Sequence, residues 1–279
     1  MGRVTTRYRV LRLSEGAAVT RPDTLVTEEP LEIRVTGTPL AITMRTPGND
    51  FDLARGFLVS EGVVRAPGEI RAIRYCAGAT ADGANTFNVV DVTLAPGVAP
   101  PDPGLARNFY TTSSCGLCGK ASLDAVRAQL RWPLADDPLH VSAEQISAFP
   151  HELRAAQRTF DRTGGLHAAG LFSATGELLC VREDVGRHNA VDKVVGWMFE
   201  RGLLPGTGTA LMVSGRASFE LVQKAVLAGI PLLAAVSAPS SLAVDLAAAA
   251  GLTLIGFVRG SSMNVYTHGR RLENAAPVS

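Results

Sequence analysis

The chain has 279 residues, of which 46% are hydrophobic, and a formal net charge of +1. This composition fits a folded core in one large domain or two smaller ones and excludes a disordered chain, which would carry fewer apolar residues and more net charge. The near-neutral charge gives no global signal for binding nucleic acid or a membrane surface. No apolar run reaches the roughly 18 residues that span a bilayer, and the N-terminus lacks an apolar signal core, so we expect a cytoplasmic protein with reduced thiols.

The first half of the chain is predicted to be rich in β-strands. Residues 7–13 alternate polar and apolar side chains, which is typical of a strand, and residues 29–46 offer two strands around the turn TGTP. The apolar spacing of residues 51–64 predicts a short helix. Two more strands are expected in residues 70–78 and 85–95, joined by a turn-prone segment.

A pair of cysteines, Cys115 and Cys118, follows the Pro- and Gly-rich segment 95–104 and precedes a predicted helix at 121–130. Such a pair can be half of a zinc site, a disulfide or a sulfur nucleophile. A helix start and the nearby Lys120 should lower the pKa of one thiol and favour the thiolate, which attacks sulfur and could carry a persulfide. An incidental surface pair without sulfur chemistry also stays open.

A zinc site is disfavoured because it usually needs four ligands from two paired motifs, whereas Cys76 and Cys180 are solitary. The segment GLHAAG resembles the H-x-E motif of zinc deaminases, but Ala169 replaces the glutamate. The C-x-x-C also comes before the histidine instead of after it. We therefore interpret His167 as a packed or hydrogen-bonded residue.

The second half of the chain alternates short apolar strands with helices, which predicts a parallel sheet covered on both faces. Its first helix begins at a capping box formed by Ser142 and Gln145. We expect two domains: a β-rich N-terminal domain, 1–138, which ends in the C-x-x-C loop and a following helix, and an α/β domain, 139–279.

Three hydroxyl-rich segments, 214–218, 237–241 and 259–264, follow the predicted parallel strands. Ligands of open α/β sheets bind beyond the carboxyl ends of the strands, where helix N-termini favour anions. Arg216 and Arg259 add guanidinium groups that suit phosphate. The segments predict a site for a phosphate-bearing ligand, although each could also be a set of ordinary caps and turns. The site residues expected from the first two segments are Ser214, Gly215, Arg216 and Ser237.

The polar segment 182–193 also stands between a strand and a helix. Its residues Arg187, His188, Asn189 and Asp192 can either join the ligand site or form an exposed helix start with ordinary caps.

Four long motifs, TTSSCGLCGK, EDVGRHNAVDKVVG, SGRASFELVQKA and FVRGSSMNVYT, together resemble the FdhD family of sulfur carriers required for formate dehydrogenase activity. The resemblance runs from about residue 20 to 268. It implies a cytoplasmic homodimer that acts as a sulfurtransferase and takes sulfur from a cysteine desulfurase as a persulfide on Cys115, with Cys118 as an accessory or relay thiol.

The resemblance further implies that this sulfur is delivered to the molybdenum (or tungsten) bis(molybdopterin guanine dinucleotide) cofactor before its insertion into formate dehydrogenase. It implies binding of a GDP-like guanine nucleotide and a C-terminal α/β/α domain similar to cytidine deaminase without the zinc chemistry. Because the thiols precede this domain, either their loop moves to the cofactor or a second subunit presents it. The cofactor-binding residues implied by the resemblance are Phe257, Val258, Arg259, Gly260, Ser261 and Ser262.

Two other functions stay open from the residues alone. One is a nucleotide- or cofactor-binding chaperone whose cysteines are dispensable, and the other is a zinc hydrolase. Loss of function in a Cys115→Ala variant would contradict the first, and metal analysis of the purified protein tests the second.

Overall fold

The computed structural model describes residues 3–76, 86–101, 126 and 130–273, which form three β-sheets and the helices packed on them. The C-x-x-C pair and most of the helix predicted at 121–130 lie outside the described residues. Within the described ranges, no helix is long and apolar enough to cross a membrane.

The chain begins with a two-stranded antiparallel ribbon of β1 (Thr5–Ser14) and β2 (Ala17–Val26). Glu15 and Gly16 link the strands with φ angles of 50° and 80°, the left-handed region used by two-residue hairpin turns. The alternation in β1 predicted a strand there, which is confirmed. The second strand was missed, because Pro22 and its polar neighbours indicate a turn.

A four-stranded sheet follows, in the order β4-β3-β6-β5. Leu31, Ile33 and Val35 alternate with more exposed residues along β3, so one face of this sheet is buried. The expected strands and the expected helix α1 are all present. Their bounds are β3 (Glu29–Val35), β4 (Thr38–Arg45), α1 (Asp50–Ser60), β5 (Ile70–Tyr75) and β6 (Val89–Leu94).

The larger sheet has six strands in the order β12-β11-β10-β9-β7-β8. Its strands β9, β10 and β11 are parallel, as predicted, and the flanking strands are antiparallel, so the sheet is mixed. The segment 259–264, expected as a loop, is instead a tight hairpin that leads into the last strand. The bounds are β7 (His167–Ser173), β8 (Leu178–Asp184), β9 (Thr209–Val213), β10 (Leu232–Ala235), β11 (Thr253–Arg259) and β12 (Ser262–Thr267).

Helices cover both faces of this sheet, so the expected three-layer α/β/α arrangement is confirmed. Met212 of β9 packs with the first helix, α2, on one face, whereas its neighbours Leu211 and Val213 pack with the helices of the other face. The predicted capping box is present: Ser142 Oγ accepts from the Gln145 amide at 3.2 Å. The helices are α2 (Ala143–Ala156), α3 (Arg158–Thr163), α4 (Arg187–Glu200), α5 (Phe219–Leu227) and α6 (Ser241–Ala250).

The four-stranded sheet, called the N-terminal sheet below, and the larger sheet share one buried apolar cluster. Helix α1 crosses α4 in direct backbone contact. A Cβ atom on Gly56 would lie 1.8 Å from the carbonyl oxygen of Asp192, and one on Gly196 would lie 1.8 Å from that of Asp52. Only glycine allows this approach. The domain boundary at residue 138 stays a prediction.

Candidate functional site

The segments that follow the three parallel strands meet at one edge of the larger sheet. The amide of Ala217 donates to the carbonyl of Ala238 at 3.2 Å, and the amide of Ser240 donates to the carbonyl of Ala217 at 3.0 Å. Phe257 then donates its amide to the carbonyl of Ser237 at 3.2 Å. These hydrogen bonds join segments that are distant in the sequence into one surface, which the topology predicted.

The backbone is irregular at Phe257, which has a φ of 54° although it is not glycine. The register of β11 against β12 shifts at this point, as in a β-bulge. Next to it, a Cβ atom on Gly256 would lie 2.9 Å from Cδ of Pro239, so only glycine fits. After the bulge, Arg259 donates from Nε to the carbonyl of Val236 at 3.3 Å. A strained residue that redirects an arginine is consistent with a ligand site.

The expected site residues differ in how much of each side chain a ligand can reach. Val258 is 1% exposed and packs in the core beneath α2, so only its backbone is available. The half-buried residues are Ser214, Gly215, Ser237 and Phe257. The exposed residues are Arg216, Arg259, Gly260, Ser261 and Ser262.

A cleft of about 670 Å³ opens beside this edge, a volume typical of small-ligand sites. Among the expected site residues that the structure describes, Ser214 alone lines it, and Val236, which accepts the hydrogen bond from Arg259, lines it as well. The opposite wall comes from α2, α3 and the segment that leads into β7. The remaining lining residues are Pro150, Leu153, Arg154, Gln157, Phe160, Gly164, Gly165, Leu166, His167 and Val185.

His167 lies in this cleft because β7 runs antiparallel to β9, which places the start of β7 beside the end of β9. The amide of Ala168 donates to Ser214 Oγ at 2.9 Å, and the amide of Ser214 donates to the carbonyl of Ala168 at 3.0 Å. Burial lowers the pKa of His167, and electrostatic interactions with Arg187 and His188 lower it further. A neutral imidazole with one donor and one acceptor nitrogen therefore faces the cleft at neutral pH. The sequence predicted a packed or hydrogen-bonded histidine and did not predict its place in a cleft, because only the strand order reveals its neighbours.

Arg187 begins helix α4, which has no side-chain cap. Its Nε is buried and has no hydrogen-bond partner among the described residues. A buried donor without an acceptor is costly, and an anion beside it would supply the acceptor. Together with Arg259 and Arg216, this donor makes the edge chemically suited to phosphate groups.

His188, the next residue of α4, lies beside the start of α5. Its Nε2 is 3.6 Å from a carboxylate oxygen of Glu220 and 3.5 Å from Ser218 Oγ. The interaction with His188 lowers the pKa of Glu220 to about 2. The pair connects two helix N-termini at the same edge.

Asn189 and Asp192, the other two polar residues named in segment 182–193, are buried and bind the N-terminal half of the chain or α5, so they do not form an exposed helix start. The buried side chain of Asn189 accepts from Thr43 Oγ1 at 3.0 Å and donates to the carbonyl of Met44 at 2.7 Å. Asp192 accepts from Ser60 Oγ at 2.9 Å and from Lys224 Nζ at 2.8 Å. These residues hold the N-terminal sheet and α1 against the larger sheet, a role that neither interpretation of the segment included.

Metal and thiol chemistry has few candidates in the described part of the chain. No cluster of His, Cys, Asp and Glu side chains there could hold a metal ion. Burial raises the pKa of Cys180 to about 11, so this thiol is a poor nucleophile. Cys115 and Cys118, the expected sulfur carriers, lie outside the described residues.

Comparison with known proteins extends these observations. The model of the FdhD/NarQ family matches residues 26–273. A Streptomyces coelicolor protein named sulfur carrier protein FdhD is 67% identical over 279 residues, which cover 100% of this chain and 99% of that protein. The protein of the same name from Mycobacterium tuberculosis is 59% identical over 275 residues, which cover 98% of this chain and 100% of that protein.

The fold of this chain is also similar to that of a solved structure. The crystal structure of a Desulfotalea psychrophila protein, described as a formate dehydrogenase accessory protein, superposes with a TM-score of 0.75. It is 24% identical, and the match covers 97% of this chain and 100% of that one.

Proposed function

The chain belongs to the FdhD/NarQ family, and we propose that it is a sulfur carrier that serves the maturation of formate dehydrogenase. In this proposal a cysteine desulfurase loads Cys115 with a persulfide in the cytoplasm. The chain, as a homodimer, then acts as a sulfurtransferase toward the molybdenum or tungsten bis(molybdopterin guanine dinucleotide) cofactor before that cofactor enters the dehydrogenase. The relatives named sulfur carrier protein match this chain over nearly its whole length, which supports the assignment.

Binding of the cofactor is proposed from one observation, the chemistry of the edge of the larger sheet where the segments after β9, β10 and β11 meet. The client cofactor is a large polyanion with flat guanine bases. The edge offers the Nε of Arg187, which has no partner in the described part of the chain, the exposed Arg259 and Arg216, and an adjacent cleft with apolar walls from Leu153 and Phe160. Guanidinium groups suit the pyrophosphates, and a half-apolar cleft suits a base. A GDP-like nucleotide should bind here for the same reason.

Release of sulfur from the persulfide to the cofactor requires two thiols if the sulfur leaves as hydrosulfide. The thiolate of Cys118 attacks Sγ of the Cys115 persulfide, and the bond to the terminal sulfur breaks. The terminal sulfur departs with the electron pair toward the client, and a Cys115–Cys118 disulfide forms. A cellular dithiol reductant then restores both thiols. In this scheme Cys115 carries the sulfur, and Cys118 is the accessory thiol that releases it.

Peptide mass spectrometry of the protein, digested without a reductant, tests whether Cys115 is loaded with sulfur. After incubation with a cysteine desulfurase and cysteine, the peptide that contains Cys115 should gain the mass of one sulfur atom. Cys118→Ala should keep this adduct and lose its release, whereas Cys115→Ala should lose the adduct and still bind GDP.

Activation of formate dehydrogenase in cells distinguishes sulfur transfer from a chaperone role. A Cys115→Ala variant that still activates the enzyme would contradict sulfur transfer and favour a cofactor-binding chaperone. Absence of the sulfur adduct on the wild-type peptide would also contradict the proposal.

A further inference from the structure

The ribbon of β1 and β2 leaves both of its faces exposed over most of its length. Each strand has 10 residues, and the apolar side chains Leu11, Leu13 and Val19 are 63%, 73% and 59% exposed. A two-stranded ribbon alone is at best marginally stable in water. Exposed apolar side chains on such a ribbon indicate a surface that is covered when the protein works.

The ribbon is also strongly basic in a chain with a net charge of only +1. Its acidic residues are Glu15 and Asp23, and its arginines form no ion pair with any carboxylate in the described ranges. A local excess of unpaired positive charge attracts an acidic partner. The arginines of the ribbon are Arg7, Arg9, Arg12 and Arg21, and Arg3 lies just before β1.

The base of the ribbon forms an open cleft of about 550 Å³ in which three arginines converge: Arg3, Arg7 and Arg162 of α3. Arg162 donates to Thr5 Oγ1 at 3.3 Å, which fixes it toward the ribbon. Guanidinium groups beside hydroxyls can hold carboxylates through paired hydrogen bonds. The hydroxyl residues of the lining are Thr5, Thr6 and Thr24.

The outer edge of β1 is open, because β2 is its only neighbour in the sheets of the described chain. The two-residue turn makes Ser14 and Ala17 a hydrogen-bonded pair, so the odd-numbered residues of β1 direct their backbone N–H and C=O groups outward. On the other edge, Pro22 is paired with Arg9 and occupies an outward position without an N–H. The edge of β1 is therefore the better template for an added strand.

Charge decides which strand fits this edge. Pairing two copies of β1 around a two-fold axis would bring Arg7, Arg9 and Arg12 of one copy near those of the other, and like charges across strands are destabilising. An acidic strand would place carboxylates against the same side chains. We propose that the ribbon is a docking element that binds an extended acidic segment of a partner protein as an added strand along β1, with carboxylates held by the arginines of the ribbon and of α3.

The ribbon stands next to the candidate ligand site. A Cβ atom on Gly165, which lines the 670 Å³ cleft, would lie 3.2 Å from Cγ1 of Val26 at the end of β2. A partner docked on the ribbon is therefore held beside the cleft. The docking rests on the ribbon alone and does not require sulfur transfer, so a binding measurement tests it separately from the proposed function.

The test uses the full chain and a fluorescein-labelled peptide of alternating glutamate and valine, followed by fluorescence anisotropy. The peptide should bind, and its affinity should fall as salt increases. Arg7→Glu/Arg9→Glu should lower the affinity by about tenfold or more, because two favourable charge pairs become repulsive. Arg71→Glu is the matched control, since Arg71 is an exposed arginine on β5, the edge strand of the four-stranded sheet.

A second peptide separates strand pairing from simple charge attraction. Methylation of alternate backbone nitrogens removes the donors that an added strand needs and keeps the charge, so this peptide should bind clearly more weakly. Equal binding of both peptides, or equal loss of binding in Arg71→Glu, would overturn the proposal. So would a dimer whose dissociation is caused by Arg7→Glu/Arg9→Glu, because a second copy would then occupy the ribbon. Circular dichroism of each variant shows that the fold is kept.

Discussion

Lys193 Nζ lies 2.6 Å from Oδ2 of Asp184, and both side chains are almost completely buried. The same ammonium donates to the carbonyl of Thr46 at 2.9 Å, and the same carboxylate accepts from the Thr46 amide at 3.1 Å. The pair thus joins the end of β4 to the larger sheet. Because Lys193 lies on α4, the helix that Arg187 begins, the pair helps to hold this helix on the sheet.

Removal of one partner of this pair should destabilise the protein strongly. Lys193→Met leaves the carboxylate of Asp184 buried without its counter-charge, which costs about 3–5 kcal/mol. Urea denaturation measures the change in the free energy of unfolding. The matched control is Arg154→Met, because Arg154 pairs with Asp161 at the surface, where both side chains are about half exposed and the cost is about 1 kcal/mol or less. Similar losses in the two variants would contradict the buried role of the pair.

The crossing of α1 and α4 should not tolerate a methyl group. Gly56→Ala places a carbon atom where the carbonyl of Asp192 lies, so the helices must separate, at a cost of about 1–3 kcal/mol or more. Gly68→Ala serves as the control, because nothing lies within 4 Å of its Cβ position. Thermal unfolding compares the two variants, and an unchanged midpoint for Gly56→Ala would contradict the close approach.

His167 should titrate below its ordinary pKa of 6.5, because burial and the nearby Arg187 and His188 disfavour the imidazolium. The unfolded chain then binds the proton more readily than the folded chain, so His167 lowers stability as the pH falls from about 6.5 through the folded pKa. His167→Asn should remove this contribution. NMR titration of the His167 ring protons measures the pKa directly. A value at or above 6.5 would contradict the partly buried position of His167 in the cleft.

Arg259 should contribute directly to the binding of a guanine nucleotide. Loss of charge-assisted hydrogen bonds in Arg259→Ala is worth about 1.5–3 kcal/mol, which is about 10- to 100-fold in the dissociation constant for GDP. Arg259→Lys keeps the charge but loses the planar guanidinium, so its dissociation constant for GDP should lie between those of the wild type and of Arg259→Ala. Isothermal titration calorimetry gives the values. Arg71→Ala on β5 should bind GDP like the wild type, and an equal loss there would show that only net charge matters.

Cys180 should remain unmodified in the native protein. Its thiol is buried and its pKa is raised to about 11, so little thiolate is present at pH 8. In a Cys115→Ala/Cys118→Ala variant, iodoacetamide should leave the peptide that contains Cys180 unlabelled until denaturant is added. Peptide mass spectrometry reads the result, and rapid labelling of the native protein would contradict the burial.

Local patterns in the chain were enough to predict most elements. The alternation in residues 7–13, the turn TGTP between β3 and β4, the capping box at Ser142 and the short apolar strands before Ser214 and Ser237 all correspond to observed structure. These signals come from side chains close in sequence, whose periodicity reflects which face is buried. The strand β2 was missed because its Pro22 is tolerated only on an open edge, and the openness of an edge depends on strands elsewhere in the chain.

The sequence by itself determined the family motifs, the alternating α/β order and the residue types that suit an anionic ligand. The tertiary structure alone decided which of those residues meet. It brought His167 beside Ser214, left the Nε of Arg187 without a partner among the residues that the structure describes, and directed Asn189, Asp192 and Lys193 toward the N-terminal sheet and α1. The physical reason is that strand order and helix crossing are set by packing between residues far apart in the sequence, such as Ala168 with Ser214 and Gly56 with Asp192, which no local periodicity records.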